Sequence, residues 1–166
     1  MPIEVREATP EEYDETGRVT AEAYREFVGP GDDDWVRYVD HIADVSDRAQ
    51  RAIVLVAVEA GRILGSVTLE IEDRIEPDGD PPLRPHEASI RMLGVDPAAR
   101  GRGIARLLMA ECESRARAAG RTLVTLHTTR RMKAAQRLYE SLGYERGEDR
   151  VFPDGFVLLS YSASLA

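Results

Sequence analysis

The hexapeptide Arg100-Gly101-Arg102-Gly103-Ile104-Ala105 has the makings of an anion-binding turn. Its glycines permit backbone conformations that leave N–H groups facing outward. The helical apolar pattern that opens at Ile104 adds the partial positive charge of a helix start. The segment lacks the glycines and lysine of a P-loop and the glycine spacing of a dinucleotide fingerprint, so it indicates neither class, and alone it reads equally as a plain tight turn. Bases gather at this helix start (Arg100, Arg102, Arg106) and at a later one (Arg130, Arg131, Lys133) that carries Tyr139 on its apolar face. Glu87 opens an alternating segment and shares a face with Ser89 and Arg91 if the pleat is regular. Glu70, Glu72 and His127 lie on neighbouring strand patterns, whereas His41 and His86 read as surface residues. Cys112 falls on the inward face of a helix, where a thiol is inert core, and no metal-ligand spacing occurs.

These residues need a scaffold, and the patterning supplies one. Residues 3–8 alternate as a first strand. Thr9-Pro10-Glu11-Glu12 then has the form of a capping box with proline in the first turn, opening a helix to about Val28 that Gly29-Pro30-Gly31 breaks. Asp32, Asp33 and Asp34 favour a second helix start, followed by Trp35, Tyr38, Val39 and Ile42 at helical period, with Trp35, Tyr38 and Ile42 read as core. The β-branched run 52–58 is a buried strand, and Glu59-Ala60-Gly61-Arg62 turns it into another over 63–72. Residues 73–85, rich in proline and charge, form a loop long enough to be a lid. In the strand 88–95, Ala88, Ile90 and Met92 alternate with Ser89 and Arg91. The period then fails at Met92-Leu93-Gly94-Val95, which predicts a bulge or a close backbone approach. A helix over 104–119, a strand over 122–128, a helix over 132–142 stopped by Gly143, and two short strands complete the chain. The order describes a mixed sheet with helices on both faces.

At 166 residues the chain is expected to be a single domain, 1–166, able to bury about 70% of the surface its unfolded form exposes. Its longest apolar run, 52–58, is far short of the roughly 20 residues needed to span a bilayer, and its first residues are charged where a signal peptide is apolar. With one cysteine there is no internal disulfide, and a cytoplasmic location is expected. The net charge of −8 argues against a nucleic-acid partner. The charge is divided: residues 1–96 carry −13 and residues 97–166 carry +5. A basic C-terminal half suits a polyanionic small ligand, and an acidic N-terminal half suits a cation.

The stretch from Leu93 to Leu108 resembles the acyl-CoA motif of the GNAT N-acetyltransferase superfamily, whose Arg/Gln-x-x-Gly-x-Gly/Ala pattern is met by Arg100, Gly103 and Ala105. About 35 residues on, Leu138-Tyr139-Glu140-Ser141-Leu142-Gly143-Tyr144 resembles the second signature of that family, and the element order matches its fold over nearly the whole chain, which implies an α+β domain with a mixed, mostly antiparallel central sheet and helices on both faces. The pattern departs at Met132, where relatives often carry a cofactor-contacting asparagine.

The resemblance implies an acetyl-CoA-dependent N-acetyltransferase, in which the amine of a small molecule, protein or peptide attacks directly. A non-catalytic acyl-CoA sensor is the alternative on the same fold, and a phosphate-ligand protein that does not use CoA is another. It implies that the pantetheine arm lies along Leu93, Gly94 and Val95, like an added strand, with a bulge N–H as oxyanion donor. Arg100, Gly101, Arg102, Gly103, Ile104 and Ala105 would hold the pyrophosphate, and Met132, Ala135 and Tyr139 would border the arm. Tyr139 would face the leaving sulfur. A hydroxyl near pKa 10 facing a thiolate near 8.5 transfers its proton uphill by roughly 2 kcal/mol, so hydrogen bonding is its expected role. Glu87 is the expected base, with Glu70, Glu72 and His127 as further candidates. No nucleic acid, membrane or metal is expected, and the chain would act as a monomer or homodimer. If the acidic half lines the acceptor cleft, cationic amines should be preferred and salt should weaken them.

Overall fold

The structure, a computed structural model, describes residues 2–29, 31, 33–76 and 79–165. Strand β1 (Glu4–Glu7) leads through a short 3₁₀ turn to helix α1 (Tyr13–Arg25), then α2 (Asp33–Ala43) and the single-turn α3 (Val45–Arg48). Strands β2 (Ile53–Glu59), β3 (Arg62–Glu70) and β4 (Glu87–Val95) follow, then α4 (Ile104–Ala118), β5 (Leu123–Thr129) and α5 (Lys133–Ser141). The chain closes with β6 (Glu145–Arg146), β7 (Arg150–Val151) and β8 (Val157–Ser164). The expected capping box is present, with the Thr9 N–H donating to Glu12 Oε1 at 2.9 Å, and Arg6 grips the same carboxylate at 2.8 and 2.9 Å. Pro30 and Asp32, expected to break one helix and open the next, lie outside the described residues, as do Pro77 and Asp78 of the long loop.

All eight strands join one sheet in the order β1-β2-β3-β4-β5-β8-β6, with β7 also paired to β8. Every pairing is antiparallel except β4 with β5. The mixed, mostly antiparallel sheet with helices on both faces is therefore observed. Alternation along β2 assigns the faces. Leu55 and Ala57 belong to the main core with Leu108, Met109 and Cys112 of α4 and Tyr139 of α5. Val56 and Val58 pack with Val19 of α1 instead. Helices α4 and α5 thus cover one face, and α1 and α2 cover the other, where Ala21, Ala23, Tyr24, Val39 and Ile42 gather around Met92.

Three details depart from expectation. Helix α1 ends at Arg25, short of Val28, and the turn of helix 45–48 has no apolar repeat to announce it. Strand β3 stops at Glu70, so Glu70 and Glu72 do not project together. Glu70 is sealed from solvent, while Glu72 is exposed and binds Arg121 at 3.2 Å. The C-terminal strand runs for eight residues because β5 pairs with it from Leu158 to Ser164, whereas β6 and β7 are two residues each. Among the described residues no helix is long and apolar enough to cross a membrane.

Candidate active site

The expected bulge lies in β4. Thr68 of β3 faces Arg91 and Ser66 faces Gly94, so one residue of β3 stands opposite two of β4, Met92 and Leu93. Met92 carries the extra residue at φ +54°, a left-handed conformation that costs a non-glycine residue about 1–2 kcal/mol. Its buried side chain is held among the α1 and α2 residues, and strain of this kind persists only where packing fixes it. The bulge also resets the pleat. Ala88 and Ile90 face α4, Met92 faces α1, and Leu93 and Val95 return to the α4 side.

Gly94 gives the close approach that the sequence suggested. A Cβ there would meet Ala23 Cβ at 3.1 Å and Thr20 Cγ2 at 3.3 Å, so its absence lets α1 lie against the strand.

Beyond the bulge the sheet opens. Strands β4 and β5 pair in parallel only from Glu87↔Leu123 to Ile90↔Leu126. Past that point β4 continues to Val95 on β3, while β5 continues to Thr129 on β8. The two strands part, and among the described residues the edge of β4 over residues 91–95 has no strand partner on the β5 side. An extended chain can bond to such an edge.

The turn after β4 is built to hold an anion. Gly101 (φ +80°) and Gly103 (φ +77°) are both left-handed, and a Cβ at either would project into open space. The first α4 ladder bond runs from the Leu107 N–H to the Gly103 carbonyl at 3.1 Å. The N–H groups of Ile104, Ala105 and Arg106 therefore precede the ladder and lack helical acceptors. The Ile104 side chain is buried in the core, which anchors this helix start rigidly, and Ala105 is half-buried beside it. A cradle that a side chain would fill, next to unspent N–H groups, fits a diphosphate. The surrounding arginines are already engaged: Arg100 with Glu26, Arg102 with Glu59, and Arg106 with Ser141 Oγ at 2.8 Å. The first two are exposed ion pairs, weak enough to exchange for phosphate.

Tyr139 stands on the α4 side of the parting strands. Its ring packs against those of Tyr161 (5.8 Å) and Tyr144 (6.1 Å). These neighbours spend their hydroxyls on carboxylates, Tyr161 on Glu140 and Tyr144 on Glu113, each at 2.8 Å. Among the described residues the Tyr139 hydroxyl has no such partner. Burial, with the Cys112 thiol and Tyr161 nearby, raises its pKa well above the usual tyrosine value, so it stays protonated. Ala135 packs against the same core, while Met132 caps α5 on the α2 side and accepts a weak contact from Thr128 Oγ1 at 3.6 Å. Cys112 is fully buried and its thiol is also pushed up by burial, as expected of an inert core cysteine.

The opposite face of the opening is polar. Glu87 begins β4 where the two strands are still paired, and both its oxygens are occupied: Thr125 Oγ1 donates to Oε2 at 2.6 Å, and the Arg84 N–H donates to Oε1 at 3.1 Å. Burial pushes this carboxyl up, but Thr125, Arg84 and Arg74 outweigh it and hold it below the usual range. Glu70 is committed to the Ile75 N–H at 2.7 Å and to Arg74 at 3.0 Å. Asp80 joins Arg91 (2.7 Å) to Arg150 (3.1 Å), and Glu76 meets His41 at 2.8 Å. Acids expected to attract a cationic acceptor thus largely neutralise their own neighbours. Ile42 is core as expected, whereas Trp35 and Tyr38 are only half-buried, their rings packed at a tilt with centroids 5.4 Å apart. Neither Thr125 nor Asp80 could be singled out beforehand: the first needs the β4–β5 register, and the second sits in a loop of similar charges.

A hollow of about 530 Å³ lies elsewhere, among Ile53, Leu69, Glu72, Arg115 and Ala119, and contains none of these residues. Among the described residues no cluster of His, Cys, Asp or Glu is arranged to hold a metal.

Known proteins fit this geometry. No curated relative matches the sequence. Among solved structures, yncA from Salmonella typhimurium, seen with its cofactor acetyl-CoA, superposes with a TM-score of 0.71 at 20% identity, over 99% of this chain and 94% of that one. The paia N-acetyltransferase of Thermoplasma acidophilum, in complex with coenzyme A, gives 0.72 at 16% identity over 96% and 98%. A GNAT-family acetyltransferase from Staphylococcus aureus Mu50 gives 0.74 at 16% identity over 99% and 100%. Likeness at this identity shows the fold. The family model for GNAT acetyltransferases matches residues 16–144, from α1 through the bulge, the cradle and the Tyr139 helix, and on that match the chain belongs to the GNAT acetyltransferase family.

Proposed function

We propose that this chain is an N-acetyltransferase that uses acetyl-CoA and acetylates a primary amine of a small molecule, protein or peptide. The observation that carries the reading is the parting of β4 and β5 along the strand that leads into a double-glycine turn. On this reading Gly101, Gly103 and the N–H groups of Ile104, Ala105 and Arg106 hold the pyrophosphate, and Arg100 and Arg102 exchange their glutamates for it. The backbone of Leu93, Gly94 and Val95 holds the pantetheine arm, which Met132, Ala135 and Tyr139 border. When bound, the thioester supplies an activated acetyl group. The chain supplies position, a hydrogen bond and a path for one proton.

Tyr139 acts on the α4 side. Its raised pKa makes transfer of its proton to a thiolate still more unfavourable, so it stabilises the leaving sulfur by donating a hydrogen bond while the proton comes from solvent. The proton lost by the amine leaves on the polar face, where Glu87 and His127 are the acceptors to choose between. A reducing cytoplasmic setting accords with the lone buried thiol.

The test is a panel of amines with acetyl-CoA, read by release of free thiol. Amine-dependent release is expected. Binding of acetyl-CoA without release for any amine would favour a sensor, and no binding would overturn the assignment.

A further inference from the structure

We propose that His127 is the proton acceptor for the attacking amine, which rests on the acetyltransferase reading above. Two features of the fold place it. In register, Ser89 faces Thr125 and Ile90 faces Leu126, and there the pairing of β4 with β5 ends. Arg91 and His127 are the next residues on each strand, so they flank the mouth of the opening. Alternation along β5 then fixes the face. Val124 and Leu126 point into the α4 core, so Thr125 and His127 point to the polar side. Tyr139 stands on the α4 side. The opening therefore has a hydrogen-bond donor on one face and an imidazole on the other, which suits a reaction that must stabilise a departing sulfur and take a proton from an attacking amine.

His127 is also the group left free to act. It is exposed, and among the described residues its ring has no hydrogen-bond or ion-pair partner. Glu87 accepts three hydrogen bonds on its carboxylate, from Thr125 Oγ1 and from the Arg84 N–H and Nε, and has a lowered pKa, so taking a proton would break bonds it already holds. The groups facing His127 are Arg91 on β4, Arg74 and Asp80 of the loop, and Arg150 on β7. Although the residue keeps access to solvent, partial desolvation by the surrounding protein holds the imidazole below the ordinary histidine value; Asp80 opposes this, and Arg150, Arg91 and Arg74 reinforce it. It is neutral, and so basic, at pH 7.

In the step, the nitrogen lone pair of the neutral amine forms the N–C bond and one N–H proton passes to His127, directly or through one water. The C–S electron pair leaves with the sulfur, which Tyr139 hydrogen-bonds and solvent protonates. His127 then returns its proton to solvent.

The test pairs kinetics with a titration that needs no turnover. The His127 ring, identified among the three histidines by its loss in His127→Gln, is titrated by NMR in the ligand-free protein, with a midpoint below 6.5 expected. The acidic limb of kcat/KM in the wild type should share that midpoint. His127→Gln should lower kcat/KM by about 10²-fold or more and abolish the limb, with acetyl-CoA binding unchanged. Free imidazole should restore part of the rate to His127→Ala, and Glu87→Gln should keep the limb. A His127→Gln enzyme within a few-fold of wild type, or a limb that moves with Glu87 instead, overturns the proposal. A wild type that binds acetyl-CoA yet acetylates no amine overturns the proposal together with the enzymatic reading, which separates that failure from the first.

Discussion

Replacing Gly103 by alanine separates the cost of a backbone conformation from the cost of an obstructed site. Gly103 has φ +77°, and a Cβ there meets no protein atom within 4 Å. The folding penalty is then conformational alone, about 1–2 kcal/mol. For a chain of this length that lowers Tm by roughly 2–8 °C. Gly120, at the other end of α4, is the matched control, with φ +78° and equally open space. Gly103→Ala and Gly120→Ala should therefore lose similar stability. They should differ in binding, because only Gly103 adjoins the Ile104, Ala105 and Arg106 N–H groups that precede the helical ladder. Hydrogen bonds to a charged group contribute about 1.5–3 kcal/mol each, so losing two weakens binding by about 10²- to 10⁴-fold. The assay is the rise in Tm at an acetyl-CoA concentration near 100 times the wild-type Kd, where about 2.7 kcal/mol of stabilisation is expected. Gly120→Ala should keep that rise and Gly103→Ala should lose nearly all of it. An equal rise in both variants would show that the phosphates bind elsewhere.

Tyr139→Phe should lower kcat by about 10- to 10³-fold and leave Tm within about 1–2 °C of wild type, since its hydroxyl has no partner among the described residues to lose. Tyr144→Phe should do the reverse, costing about 1 kcal/mol in a denaturant melt through the lost Glu113 bond while leaving kcat unchanged. Gly94→Ala should destabilise by about 1–3 kcal/mol, because the added methyl presses on Ala23 and Thr20 of α1. Hydrogen bonds from Arg6 lower the Glu12 carboxyl from the usual 4.5 to about 2. Its contribution to stability is thus complete above pH 4.5 and fades as pH falls toward 2. The stability gap between wild type and Glu12→Gln should close over that window, and a gap independent of pH would show that the ion pair does not stabilise the fold.

The local chemistry of this protein was legible in its sequence because it depends on neighbours in the chain. The capping box at Thr9, the glycine turn at 101–103, the helix start at Ile104 and the failed alternation at Met92 each rest on backbone preferences within a few residues, and all four appear in the structure. The buried helix face carrying Cys112 and Tyr139 was readable for the same reason, as a period of 3.6. What the sequence left open was every relation across the sheet. Glu87 was the expected base with Glu70, Glu72 and His127 as further candidates, and the sequence could not decide among them, because a period of two places a side chain on a face but does not say which strand lies beside it. The parallel register of β4 with β5, fixed by core packing between distant segments, gave Thr125 to Glu87 and left His127 at the open mouth. The same holds for charge. Composition showed an acidic half and a basic half, but only the folded loop shows Asp80 and Glu76 spent on Arg91, Arg150 and His41. Pairing of charges is a matter of ångströms, and those distances exist only once the chain has closed on itself.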